Sequence, residues 1–189
     1  MSYIQPFPSV ARELLASIQD DPYWDLRLRD LADGDQPHAA AHLAIFVEPY
    51  LRYILEGRKT IESRFSVHRT APYHVVQRGD VLLLKRSGGP IVGLCEVSDV
   101  WFYELDADSW RIIRQEFTQA LCAQDPAFWR ERESACFATL MRVHHVRATL
   151  PIGFAKQDRR GWVVLRSAHR QLELSGLGED SANFKPSTG

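Results

Sequence analysis

The sequence predicts an α+β fold: a small curved or closed β-barrel of five or six strands, with short helices at its ends and a helical extension in front. Three observations lead there. Short apolar runs separated by Gly, Pro and Asp punctuation recur from residue 42 to residue 166. Helical spacing is concentrated before residue 37 and in a few brief stretches between those runs. No internal repeat or low-complexity tract interrupts the pattern.

Taken in order, Val10, Leu14, Leu15 and Ile18 fall at helical spacing after Pro8-Ser9. The stretch "DPYWDLRLRDLADGD" predicts a second short helix closed by Asp33-Gly34. Two helices this short cannot bury their apolar faces alone, so they are expected to dock on the strands that come after them. Pro37 marks the boundary, dividing the chain into an extension (1–37), a main domain (38–166) and a polar tail (167–189). Within the main domain, "HLAIFV" predicts a strand, and Glu48 to Leu55 a short helix ended by Gly57. "GDVLLLKR" predicts a buried strand, turned by "SGGP" into its antiparallel partner "IVGLCEVSDVWFY". Asp106 or Asp108 caps a helix running through Cys122, and "DPAFWRER" supplies another. "ACFATLMRVHHVRATLP" and "GWVVLR" are the last strands.

The composition is that of a globular protein: 189 residues, 45% hydrophobic, 25% charged, mean hydropathy -0.26. No apolar run approaches the roughly 20 residues a bilayer span needs. The beginning "MSYIQPFPSV" has neither the basic nor the apolar segment of a signal peptide, so a cytoplasmic location is expected. Cys95, Cys122 and Cys136 form no C-x-x-C pair and sit in apolar contexts, as buried free thiols do. The net charge of -1 excludes a whole-protein grip on long DNA but not a local basic patch reading a short strand or a single base.

The densest charge lies in "EGRKTIESRF", residues 56–65. Alternation puts Ile61 and Phe65 on one face and Thr60, Glu62 and Arg64 on the other, which is expected to be exposed, with Lys59 at the junction. Successive members of that face are about 7 Å apart. Cationic donors beside a carboxylate acceptor can pair internally, as an exposed strand's solvated charges do, or bind a group that offers both donors and acceptors. A nucleobase edge beside a phosphate is such a group.

Gly57, Lys59, Glu62 and Arg64 spell G-x-K-x-x-E-x-R after a short helix, and with "GDVLLLKRSGGPIVGLCEV" further on, the chain resembles the ASCH domains, relatives of the PUA fold. The resemblance spans Leu43 to Leu165. It implies a PUA-like barrel with a cleft lined by the motif, binding RNA or a modified nucleoside through Lys59, Glu62, Arg64, Thr60 and Lys85. It also implies an alternative: a metal-independent hydrolase, either a nucleoside amidohydrolase or a ribonuclease, with Lys59 and Glu62 as catalytic residues. The "GRKT" context places Lys59 on the catalytic Lys of an amidohydrolase branch. That branch's nucleophilic Thr falls on Glu62 here, with Thr60 in a different register.

No cofactor and no metal are expected. His144 and His145 are adjacent on a strand, which should send them to opposite faces, and no zinc-type spacing accompanies them. His68 and His74 lie in a loop beside the motif, Arg86 and Ser87 at a hairpin tip, and Arg159 and Arg160 before the last strand. Any of these can border a cleft. Trp101, Phe102 and Tyr103 are core residues, one of which can offer a stacking surface. A third class is an accessory module whose N-terminal helices or C-terminal tail dock a protein partner.

Overall fold

Two-residue periodicity in β-branched and aliphatic segments, broken by Gly and Pro, produces six strands that join in one mixed sheet. The computed structural model describes residues 6–18, 20–35, 37–155 and 160–169. Helices α1 (Phe7–Ser17) and α2 (Pro22–Asp33) precede β1 (Ala41–Phe46), α3 (Tyr50–Leu55), β2 (Ile61–Ser66), β3 (Val81–Arg86) and β4 (Ile91–Glu104). Then come α4 (Ala107–Phe117), α5 (Pro126–Arg130), β5 (Phe137–Ile152) and β6 (Trp162–Arg166). The strand order is β2-β5-β4-β3-β1-β6, with β1 and β3 parallel and every other pair antiparallel. The sheet curls into a half-barrel, and β2 and β6 are its two edges.

Both faces of the central strands are covered, which is why Val81 to Lys85 are all buried. On the outer face, Val10, Leu14, Trp24, Leu28 and Leu31 of α1 and α2 pack with Leu43, Leu83, Leu94 and Ile152. The inner face gathers Phe46, Leu82, Leu84, Cys95, Met141 and Trp162 with Leu51 and Ile54 of α3. A third cluster joins Ile61 to Ile113, Leu121 and Phe128 of the α4–α5 region.

Local chemistry sets the helix limits. Asp21 caps α2 by accepting from Trp24 N, and Pro22 starts it. For α4 the cap is Asp106, in a reciprocal box with Ser109. That helix stops at Phe117 rather than running through Cys122, whose φ of 54° is left-handed. Helix α3 starts at Tyr50, after Pro49, and leaves through Gly57 at φ 72°.

The extension is fastened by a polar node as well as by apolar burial. Tyr23 Oη and Arg27 of α2 both donate to Glu96 of β4, Arg27 Nε at 3.0 Å, and His144 Nε2 lies 3.2 Å from the other Glu96 oxygen. Two residues of β5, His145 and Val146, oppose the single Cys95 of β4 here, since Arg147 pairs with Leu94 and His144 with Glu96. This bulge, with His145 at φ 48°, brings the His144 and His145 rings to 4.5 Å instead of opposite faces. His145 stacks on Tyr23 at 4.0 Å, and its carbonyl accepts from Trp24 Nε1. Among the described residues no group of three or more His, Cys, Asp or Glu is placed to hold a metal ion. Among the same residues, no helix is long and apolar enough to cross a membrane.

Candidate functional site

The chain leaves α3 with Tyr53 O accepting from both Arg58 N and Lys59 N, which turns the Lys59 side chain inward. Lys59 is 2% exposed and Glu62 4%. The face carrying Glu62 and Arg64 is therefore not the solvated one that the alternation suggested, because the curl of the sheet directs it inward. Ile61 and Phe65 on the opposite face are also covered, by the α4–α5 cluster.

Lys59 Nζ donates to Ile61 O at 2.6 Å and Leu121 O at 3.4 Å, and lies 3.3 Å from Glu62 Oε2. Burial pushes the Lys59 ammonium below its ordinary range, and Glu62 opposes that shift only partly. Arg64 Nε faces the other Glu62 oxygen at 2.9 Å, an ion pair without the alignment of a hydrogen bond. Glu62 is thus bracketed by two cations, one on each oxygen.

Arg64 lies between the two sheet edges. Its guanidinium carbon is 4.9 Å from the Phe46 ring centroid and 5.5 Å from that of Trp162, and Nη1 donates to Gly161 O at 3.3 Å. Trp162 is itself pinned from below. Its indole N–H donates to His42 Nδ1 at 3.3 Å, and His42 Nε2 meets Asp80 Oδ2 at 3.0 Å. Indole nitrogen only donates, so the network assigns His42 the Nε2–H tautomer. Burial favours a neutral Asp80, but His42 and the amides of Ala40 and Gln77 overcome it and hold the carboxyl below its usual range.

Above Glu62 opens a hollow of about 320 Å³ walled by Phe46, Tyr50, Phe65 and Phe128, with Lys59, Glu62 and Arg64 at its base and Glu131 and Arg132 at its rim. Lys59, Glu62 and Arg64 are thus brought together. Thr60 is exposed, its N–H bonded to Ala120 O, and does not line this hollow. Lys85 does not line it either: Nζ donates to the carbonyls of Gly89 and Arg86 in the β3–β4 turn.

His68 is exposed in its loop, and His74 packs against Phe102 at 4.4 Å. Trp101 rests on Phe117, and Tyr103 joins the α4–α5 cluster. Arg86 pairs with Glu48 at the hairpin tip. Arg159 and most of the tail lie outside the described residues.

The aromatic walls and the rim pair Glu131–Arg132 do not stand out in the sequence. One signal is present there, the unusual density of Phe, Trp and Arg in "DPAFWRER". Arg132 sits over Phe128 at 3.9 Å, which orients both toward the hollow.

A family model described as the ASCH domain matches residues 45–141. Among solved structures, the ASCH protein from Zymomonas mobilis is 12% identical, with a TM-score of 0.49 over 60% of this chain and 73% of that one. A serine-to-alanine mutant of the same protein is 10% identical, with a TM-score of 0.50 over 61% of this chain and 75% of that one, a likeness of fold. No curated protein matches the chain. The family match takes in just over half of the residues, including all of Gly57 to Arg64 and the β3–β4 hairpin, and so the chain belongs to the ASCH domain family.

Proposed function

We propose that the hollow above Glu62 binds one base of single-stranded RNA or a modified nucleoside. The observation that carries this reading is the Lys59–Glu62–Arg64 cluster at the base of an aromatic-walled cavity. A base needs flat apolar walls for its faces and a mixed donor–acceptor set for its edge. Phe46, Tyr50, Phe65 and Phe128 offer the first, and Glu62 with its two cations offers the second. Each Glu62 oxygen keeps lone-pair capacity beyond its ion pair, so a base amino group can donate there.

A second reading is favoured by the burial of Lys59. An ammonium depressed by desolvation and touching a carboxylate suits metal-independent hydrolysis, with Glu62 taking a proton from water and Lys59 stabilising developing charge. One measurement separates the two. Modified nucleosides and short RNAs are incubated with the protein and with Glu62→Gln, and retention and conversion are both scored by mass spectrometry. Retention without conversion by the native protein, lost in the variant, supports binding; released acid, base or cleaved RNA supports hydrolysis. If neither differs between the two proteins, both readings fail.

A further inference from the structure

Side chains of β2 on the Glu62 face run in the order Glu62, Arg64, Ser66, one pleat apart: a carboxylate, a guanidinium, then a hydroxyl. The first two line the hollow already described. Arg64 and Phe65 also line a second hollow of about 190 Å³ on the far side of the guanidinium, shared with Ser66, Thr70, Thr139 and Trp162. Thr139 stands directly opposite Arg64 in the β2–β5 ladder. The two spaces therefore adjoin, with Arg64 as their common wall.

Their chemistry differs. Among the described residues the first hollow holds two carboxylates, Glu62 and Glu131, whereas the second holds three hydroxyls, one cation and no carboxylate. A further hollow along β6 shares Thr70, Gly161 and Trp162 with the second and adds Arg160, again with no carboxylate among the described residues. The lining thus changes along the seam, from a set that includes carboxylates to one of hydroxyls and guanidinium groups. Arg64 has donor capacity to spare as well: Nη2 is buried and has no hydrogen-bond partner among the described residues. Leaving a guanidinium N–H unmade is costly, and an anionic oxygen brought within reach would remove that cost.

We propose that the second hollow is an anion subsite that takes the phosphate attached to the base bound in the first, making the preferred ligand a nucleotide unit rather than a free nucleoside. The inference rests on reading the first hollow as the base site. Arg64 then has two duties, bracketing Glu62 on one side and receiving the phosphate on the other. Thr139 adds a neutral hydroxyl, and the Ser66 and Thr70 hydroxyls, which donate to His68 O at 2.8 and 3.5 Å, would turn from that carbonyl to the phosphate.

Calorimetric titration tests this, using the four common ribonucleosides, base-acetylated and base-methylated derivatives, and the 5′- and 3′-monophosphate of each. The expected result is a monophosphate that binds about tenfold or more tightly than its own nucleoside, the effect of one charge-assisted hydrogen bond. That ratio should collapse toward one in Arg64→Gln. It should also fall in Thr70→Glu, which places a carboxylate in the subsite from an exposed loop and decides the matter if Arg64→Gln does not fold. Nucleosides that bind as well as both of their monophosphates would overturn the anion subsite while leaving the base site standing. Inorganic phosphate binding as tightly as the best monophosphate would overturn the coupling of anion to base. No binding by any nucleoside or monophosphate would overturn the subsite and the base reading together.

Discussion

Arg64 and Gly161, 97 residues apart in sequence, meet where the sheet stops: Nη1 of the one donates to the carbonyl of the other at 3.3 Å. Arg64 belongs to the edge strand β2, and Gly161 immediately precedes the edge strand β6. The ladders do not close the barrel, so a side chain spans the gap that a further pair of strands would otherwise fill. The residue proposed to meet ligand on both of its sides is therefore also the clasp of the fold.

Lys59 and Glu62 form a buried pair, and removing one member should cost more than removing both. Glu62→Gln leaves the Lys59 ammonium buried beside a neutral amide, at a cost of about 3 kcal/mol. Adding Lys59→Met to that variant should recover at least about 1 kcal/mol, since a methionine fits the apolar surroundings without a charge. Urea titrations of the two variants and the native chain check this. A Glu62→Gln protein as stable as the parent would show that the pair is not coupled to the fold.

Residues 1–37 should be needed for stability. Helices α1 and α2 cover the outer face over Leu43, Leu83 and Leu94, which deletion would expose. The truncated chain is expected to melt at a markedly lower temperature and to bind a hydrophobic dye. Unchanged melting and solubility would make the segment a free appendage.

Glu96 should give the docking of α2 a dependence on acid. Burial raises its pKa, but hydrogen bonds from Tyr23 and Arg27, the Arg27 charge and the His144 contact together bring it below the ordinary 4.5. A carboxyl lowered in the folded state stabilises fully above that ordinary value and loses its contribution as pH falls through the folded one. The stability gap between the native chain and Glu96→Gln should be constant above about pH 4.5 and close below it. A gap that persists undiminished in acid would contradict the sign.

Thiol reactivity should follow burial. Cys95 is fully buried in the inner core, where burial pushes its thiol up, whereas Cys136 is exposed at the start of β5. A maleimide should label Cys136 in the native protein and Cys95 only after denaturant is added. Early labelling of Cys95 would mean that the inner core opens readily.

Affinity for single-stranded RNA should fall only gently with salt. Among the described residues one cation lines the proposed anion subsite, and the net charge is -1, which fits about one to three phosphate contacts. Filter binding across a salt series gives the slope. A value appropriate to eight or more phosphates would require a binding surface far larger than this seam.

Much of the sheet was legible because strand periodicity and turn residues are local signals. "GDVLLLKR" and "IVGLCEV" form a paired hairpin for that reason. The grouping of Glu62 with Arg64 was legible too, but not the side on which they lie. Alternation tells which residues share a face; only the curl of the whole sheet decides which face is inside. The bulge at His145 carries no Gly or Pro to announce it, so the adjacent histidines looked divergent. Phe46, Tyr50, Phe65 and Phe128 come from four separate elements, and nothing local in any of them marks a shared wall.

The buried chain from Asp80 through His42 to Trp162 bears on how the protein is made. Trp162 lies 120 residues after the His42 that holds it, and Gly161 and Trp162 are the seat of Arg64. A nascent chain that has emerged only as far as β5 can form every ladder except β1–β6, yet its Arg64 has neither the Gly161 carbonyl nor the Trp162 indole ring beneath it. Contacts so distant in sequence form late, because the intervening loop must first be closed. On the proposed reading, recognition waits for β6, and a chain that has emerged only as far as β5 should have no working seam with which to capture RNA.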